Sequence, residues 1–138
     1  MNFNPAQPLA SQLDAGKHGG MLTIGTTVLG VDDVARATAF WCDALGYIPR
    51  EDGDETWVVL VPQKGDGARL ALMLSETPVQ SHPRLHLDLY ADDQASEVER
   101  LVGLGASRVN WDSYPDDPDF IVLEDPDGNR FCVVDAAA

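Results

Sequence analysis

The stretch RLHLDLYADDQ, residues 84–94, brings several chemically capable side chains together. Read in steps of two, leucines fall on one side and polar residues on the other, which is typical of a strand with one wet face. His86 and Asp88 share the polar side with Arg84 and Tyr90. A carboxylate two residues from an imidazole can orient the ring and raise its basicity, as general-base catalysis requires. We therefore predict His86 and Asp88 as a catalytic pair; the alternative is a hydrogen-bonded pair with a role only in the sheet.

Composition narrows the classes of partner. The chain has 138 residues, with 9 Lys and Arg against 23 Asp and Glu, giving a formal net charge of −14. Such a chain repels nucleic acid, and no apolar run reaches the ~20 residues that cross a bilayer. Cys42 and Cys132 have neither zinc-type spacing nor a Cys-x-x-Cys pair, so we expect free thiols and a cytoplasmic location.

The elements that must position these residues occur twice. VDD begins at residue 31 and ADD at 91, while LG begins at 45 and at 104. Each copy reads as a strand, a helix and three strands, with Gly- and Asp-containing turns between the later strands. In the first copy a strand from Met21 precedes a helix capped by Asp32 or Asp33 and stopped by Gly46. In the second, Leu85, Leu87 and Leu89 pack under a helix that turns Ala95, Val98, Leu101 and Val102 inward, and SRVNW forms a strand.

These patterns predict an α+β fold with two tandem βαβββ modules forming a cup-shaped mixed sheet, helices on the outer face. Module 1 spans about residues 21–80 and module 2 about 81–135, together forming one domain at 21–138. Residues 1–20, rich in Pro, Gln, Asn and Gly, are predicted to be a flexible extension. Exposed sheet edges in such half-shells favour a homodimer.

Strand phase assigns a set of side chains to the inside of the cup. Three aromatic residues, Trp57, Trp111 and Tyr114, are candidates for its wall or mouth. The predicted ligand-binding residues are Thr26, Arg69, Met73, Tyr90, Trp111, Tyr114, Arg130 and Cys132. The two arginines could clamp a carboxylate or phosphate, or pair with neighbouring acids. Trp111 and Tyr114, in the loop VNWDSYPDDPD, could form a stacking lid or anchor the loop.

The doubled order, with FWCDALGY, LHLDLYADD and EDPDGNRFCVV in sequence, resembles the glyoxalase, bleomycin-resistance and extradiol-dioxygenase superfamily, the vicinal oxygen chelate fold. The resemblance covers about residues 22–135, and HLDL with GNRFCV is similar to bacterial glyoxalase-like domains. It implies a cup that binds a small molecule.

In metal-dependent members of that superfamily, four inward side chains, typically His, Gln or Glu, hold a divalent ion. The resemblance places those positions at Thr26, Met73, His86 and Cys132. Only His86 is a conventional ligand of zinc, nickel, iron or manganese, so the usual metal is not expected and no cofactor is predicted.

Three functions follow as hypotheses. The first is a protein that binds a small organic molecule without the usual metal, for sequestration or sensing. The second is a lyase, isomerase or dioxygenase that uses His86 as metal ligand or, with Asp88, as base. The third is an interaction module, for which the sequence offers no peptide groove.

Overall fold

The structure, a computed structural model, describes residues 21–137. The extension predicted at residues 1–20 lies outside the described residues. The chain divides after Ser75 into two compact units, and each contains one helix and a four-stranded sheet with parallel and antiparallel pairs. This architecture confirms the α+β prediction with two tandem βαβββ modules.

In the first unit, the first strand pairs in parallel with the last strand. Its elements are β1 Thr26–Val31, α1 Val34–Leu45, β2 Tyr47–Pro49, β3 Trp57–Pro62 and β4 Arg69–Leu74. The strand order is β1-β4-β3-β2; β1 pairs with β4 in parallel and the other pairs are antiparallel. Parallel strands need a long connection between them, and here the connection from β1 to β4 begins with the helix α1.

The second unit repeats this topology. Its elements are β5 Asp88–Ala91, α2 Gln94–Leu104, β6 Ser107–Arg108, β7 Phe120–Glu124 and β8 Arg130–Asp135. The strand order is β5-β8-β7-β6, again with one parallel pair, β5 with β8. No helix among residues 21–137 has the length and apolar character needed to span a bilayer.

Local signals in the sequence explain where the helices begin and end. Asp33 caps α1 by accepting a hydrogen bond from the Arg36 amide at 3.0 Å, and Asp93 caps α2 through the Ser96 amide at 3.1 Å. These side chains satisfy amides that have no partner inside the helix. Gly46 follows α1 at φ 69°, the left-handed conformation that glycine adopts at low cost.

Each helix covers one face of its own sheet. In the first unit, Trp41 is 1% exposed and meets Phe40 edge-to-face, with ring centroids 5.0 Å apart. In the second, α2 buries Val98 and Leu101, as predicted. Ala95 is exposed, contrary to prediction, because Gln94 turns inward instead and donates hydrogen bonds to the carbonyls of Asp119 and Val133.

Three predictions about strands are wrong because the paired segments are shorter than the sequence patterns suggest. The first strand begins at Thr26 rather than Met21, since β4 begins at Arg69, the partner of Thr26. Leu85, predicted to pack under a helix, is 76% exposed because it precedes β5. SRVNW contributes only Ser107–Arg108, which pair with the last two residues of β7 before the chain leaves the sheet.

Candidate functional site

The face of the second sheet opposite α2 carries the polar residues singled out in the sequence. In the register of the sheet, Asp88 is paired with Cys132 and Tyr90 with Val134. On the other side of β8, Val122 is paired with Cys132 and Phe120 with Val134. Because paired residues point to the same face, these side chains from three strands form one surface.

This surface forms the floor of a cavity of about 430 Å³ within the second unit. The cavity is lined by His82, Pro83, His86, Asp88, Tyr90, Trp111, Ser113, Asp119, Phe120, Val122, Arg130, Phe131, Cys132 and Val134. Its volume is in the range of small-molecule sites, and apolar side chains surround a few polar groups, as such sites usually do.

His86, Asp88 and Cys132 form the polar centre of the cavity. The His86 Nε2 and Asp88 Oδ1 atoms are 3.0 Å apart, so the side chains of the predicted pair are in direct contact. Both side chains are about half exposed, at 43% and 49%. The ligating atoms of all three residues lie within 4.8 Å of one another. An imidazole, a carboxylate and a thiol therefore lie side by side in the lining of the cavity.

Cys132 is the most buried member of this group, at 8% exposed. Burial, the negative charge of Asp88 and a hydrogen bond to that carboxylate, in this order of importance, raise the pKa of Cys132 to about 11. All three causes favour the neutral thiol over the thiolate. In the metal-free protein at neutral pH, Cys132 is therefore a hydrogen-bond donor to Asp88 and not a nucleophile.

Two loops close one side of the cavity through His82 and Trp111. Their rings lie 4.6 Å apart, and the His82 Nε2 is 2.9 Å from Asp112 Oδ1. Hydrogen bonds with His82 and Ser113 lower the pKa of the Asp112 carboxyl. The ring contact and the hydrogen bond together join the loop before β5 to the loop before β7.

Arg130 connects the same region to β8. Its guanidinium donates to Glu124 Oε2 at 3.2 Å and to the Ser81 carbonyl at 2.7 Å, and it lies 5.7 Å from the centre of the Trp111 ring. The arginine thus pairs with an acid, one of the two alternatives for it, while one part of its side chain still faces the cavity.

The remaining predicted residues lie elsewhere. Tyr114 anchors its loop: its ring packs on Phe120 at 5.4 Å, and its hydroxyl oxygen accepts a hydrogen bond from the Val122 amide at 2.8 Å. Thr26, Arg69 and Met73 belong to the first unit. Arg69, which pairs with Thr26 in the sheet, is 4% exposed, whereas Met73 is 41% exposed.

Eight of the fourteen residues that line the cavity are not among the predicted site residues: His82, Pro83, Ser113, Asp119, Phe120, Val122, Phe131 and Val134. The alternation of DFIVLE around Val122 places Phe120 on the same face of β7, so strand phase could have identified it. His82 lies in the irregular segment SHPR, where no periodicity predicts the direction of a side chain. Its contact with Trp111 joins residues nearly thirty positions apart.

The donor set does not fit the metal arrangement that the resemblance implies. Two of the four implied positions, Thr26 and Met73, offer a neutral hydroxyl and a soft thioether, which bind these divalent ions more weakly than imidazole or carboxylate does. The three donors that the structure does bring together include Asp88, which is not one of the four positions. A thiol in the group also departs from the His and carboxylate sets that suit manganese.

Comparison with family models identifies one match. The model described as glyoxalase-like domain matches residues 26–134, which cover β1 to β8 almost completely. No curated protein matches the chain at a significant level.

Solved structures with similar folds come from several bacteria. The chain is similar to a glyoxalase/bleomycin resistance protein/dioxygenase family enzyme of Burkholderia phytofirmans, with 16% identity, a TM-score of 0.62 and coverage of 81% of this chain and 97% of the other. It is also similar to a possible glyoxalase of Bacillus cereus, with 20% identity, a TM-score of 0.62 and coverage of 82% of this chain and 98% of the other. A third similar structure is the fosfomycin resistance protein of Listeria monocytogenes in complex with Mn(II) and 1S,2S-dihydroxypropylphosphonic acid. Its identity is 15% and its TM-score 0.64, and the match covers 83% of this chain and 90% of the other. At these identities the likeness shows the fold.

Proposed function

The chain belongs to the glyoxalase-like domain family, and from this premise we propose that the cavity of the second unit binds a small organic molecule. The observation that carries the proposal is the cavity of about 430 Å³, in which apolar walls surround the group His86, Asp88 and Cys132. A site of this size and character can bury most of a drug-sized molecule.

The walls favour a ligand with a flat apolar body. Phe120, Val122 and Val134 form a continuous apolar floor, and Tyr90 and Trp111 add aromatic surface at the side. Aromatic rings pack well against such surfaces in offset or edge-to-face arrangements, and each contact of this kind contributes about 1 kcal/mol beyond the area buried.

The charges favour a basic group on that ligand. Asp88 and Asp119 line the cavity as carboxylates, whereas the Arg130 guanidinium is paired with Glu124. The whole chain adds a net charge of −14, which attracts cations and repels anions at long range. An aromatic or heteroaromatic amine is therefore the expected class of ligand.

Thermal-shift and calorimetric titrations with three series of compounds test this proposal. The series share an aromatic body and differ in carrying an amine, a neutral polar group, or a phosphonate such as the one bound by the listerial relative. The amines should bind saturably, and Asp88→Asn should weaken them at least about tenfold, because a charge-assisted hydrogen bond is lost. Asp66→Asn, the same change at an exposed residue of the first unit, should leave the affinity unchanged.

Filling the cavity supplies a second arm of that experiment. Val134→Phe places a larger side chain on the cavity floor and should abolish binding while circular dichroism shows the native fold. Equal binding by wild type and Val134→Phe, or the absence of saturable binding by every amine, would refute the proposal. Tighter binding of the phosphonates would refute the proposed charge of the ligand.

A second candidate function is an enzyme of the same superfamily with His86 as general base. The 3.0 Å contact between His86 and Asp88 at the cavity surface favours it, because the carboxylate can orient the imidazole toward a bound molecule. Once a substrate is identified, His86→Ala should reduce kcat by about 100-fold or more. Undiminished turnover by this variant would exclude the role.

A further inference from the structure

The group His86, Asp88 and Cys132 has a property that the organic-ligand proposal leaves unused. All three side chains carry atoms that bind metal ions, and those atoms lie within 4.8 Å of one another. Among residues 21–137 it is the one such group with three donors from His, Cys, Asp or Glu. This group is therefore the candidate metal-binding site of the described residues.

Backbone pairing explains why the donors converge. His86 and Asp88 are two residues apart, so both side chains leave the chain in the same direction. Asp88 is the partner of Cys132 in the parallel pairing of β5 with β8, and the Cys132 amide donates to the Leu87 carbonyl at 2.9 Å, just before β5. Two donors thus lie on the adjacent strands β5 and β8, and the third, His86, lies two residues before β5.

The types of donor determine which ions fit. Zinc accepts imidazole nitrogen, carboxylate oxygen and thiolate sulfur, and catalytic zinc sites commonly have three protein ligands and an open position. Manganese and magnesium prefer oxygen and gain little from sulfur. A set with one donor of each type, beside a cavity that gives solvent access, is suited to zinc and its thiophilic relatives.

We propose that His86, Asp88 and Cys132 form a site for a thiophilic divalent cation, with Zn²⁺ as the preferred ion, inside the second unit. The site differs from the arrangement that the superfamily implies, because it includes Asp88 and needs no donor from Thr26 or Met73. It departs also from the Mn(II) of the listerial relative.

The distances are compatible with this assignment. In tetrahedral zinc sites, bond lengths of about 2.0 Å to nitrogen and 2.3 Å to sulfur place the two ligand atoms roughly 3.5 Å apart. The His86 and Asp88 donors are 3.0 Å apart, and all three donor atoms lie within 4.8 Å of one another, so shifts of about 1 Å bring them to this spacing. When bound, the ion would act as a Lewis acid toward a molecule in the cavity.

Cobalt(II) provides a direct test, because its complexes with sulfur have a near-ultraviolet charge-transfer band and tetrahedral complexes absorb strongly in the visible region. The full-length protein is stripped with a chelator, titrated with Co(II) alone and then with Zn²⁺ as competitor. We expect a one-to-one complex with the sulfur band, displaced by Zn²⁺, and at least tenfold weaker binding of Mn(II). Elemental analysis after desalting checks the stoichiometry of zinc.

Substitutions test whether His86, Asp88 and Cys132 are the residues that bind the metal. Cys132→Ser should abolish the sulfur band, and Asp88→Asn and His86→Ala should each weaken Zn²⁺ at least about tenfold. Matched controls should bind like wild type: Cys42→Ser replaces the other cysteine, and His82→Asn a histidine of the same cavity. Met73→Leu should also bind like wild type, because it alters a position implied by the superfamily and not a proposed donor.

The outcomes decide between the alternatives. A missing sulfur band, a band that persists in Cys132→Ser, preference for Mn(II), or loss of metal in Met73→Leu would each overturn the proposal. Native circular dichroism of each variant excludes misfolding as the cause of a loss, and Cys132→Ser, which replaces only sulfur by oxygen, is the least disruptive of them. The titrations use metal alone, and the organic-ligand screen is run in chelator, so either proposal can fail without the other.

Discussion

Asp88 is the residue that both proposals for the second unit share. Its carboxylate contacts the His86 imidazole at 3.0 Å and accepts a hydrogen bond from the Cys132 thiol. The same carboxylate is therefore in contact with two neighbours, is a negative charge that faces the cavity, and is one of the three donors of the proposed metal site. Replacing it by Asn removes the charge and keeps the size, which makes Asp88→Asn the most informative single change.

Cys132 should make the metal-free protein less stable in alkali. Its pKa is raised from 9.0 to about 11 in the folded state, so the unfolded chain loses the proton first as the pH rises. The stabilisation is complete below about pH 9 and is lost as the pH rises through about 11, by up to about 2 kcal/mol. Urea unfolding in chelator at about pH 8 and pH 10.5 measures the loss.

The control for that experiment is Cys132→Ser, whose hydroxyl does not titrate in this range. The free energy of unfolding of this variant should fall less between the two pH values than that of wild type. Burial also raises the pKa of Cys42, so Cys42→Ser reports the separate contribution of that thiol. Equal losses in wild type and Cys132→Ser would show that the Cys132 thiol has no part in the alkaline effect.

At the scale of elements, the two units use the same devices at equivalent positions. Asp33 and Asp93 cap their helices, and Gly46 and Gly105 follow the helix ends, both at positive φ. A capping Asp needs only the amide two or three residues ahead, and a glycine stop needs only its own backbone. Such local devices explain why the helix boundaries follow from short motifs.

Gly46 and Gly103 should respond in opposite directions to the same change. A Cβ on Gly46 meets no atom within 4 Å, but its φ of 69° is strained for alanine, so Gly46→Ala should destabilise the protein by about 1 kcal/mol. Gly103 lies within α2, also in open space, and Gly103→Ala should stabilise by about 0.5–1 kcal/mol. Chemical denaturation of both variants gives the comparison.

Changes of opposite sign in the free energy of unfolding would show that backbone conformation causes both effects, because neither added methyl group makes a contact. A destabilising Gly103→Ala would contradict an unstrained helical conformation for that glycine in the last turn of α2. A neutral Gly46→Ala would contradict the left-handed stop of α1.

At the scale of the molecule, the net charge of −14 acts on stability as well as on ligands. Like charges repel more strongly in the compact state, and salt reduces this repulsion as the screening length falls from about 30 Å at 0.01 M to about 8 Å at 0.15 M. The melting temperature should therefore rise with NaCl by roughly 4 °C, which corresponds to about 1 kcal/mol.

Differential scanning calorimetry at neutral pH over this range of NaCl checks the prediction. KCl should reproduce the NaCl curve, because screening depends on ionic strength and not on the identity of the monovalent cation. A melting temperature that falls with salt, or one that differs between the two chlorides, would indicate that specific ion pairs outweigh the general repulsion.

The sequence by itself determined the repeated order of elements, the caps and the stops of the helices, and the face that His86, Asp88 and Tyr90 share. These features depend on periodicity and on residues a few positions apart, where geometry is local. The resemblance carried by FWCDALGY, LHLDLYADD and EDPDGNRFCVV also identified the family that the matching model bears out.

Only the tertiary structure decided which residues of different segments meet. Alternation assigns Cys132 to a face of β8, but the parallel register that places it beside Asp88 depends on packing between strands far apart in the chain. The contact of His82 with Trp111 joins two irregular loops, where no period constrains the direction of a side chain. The edges of pairing likewise set the start of β1 at Thr26, because a strand extends only as far as its partner.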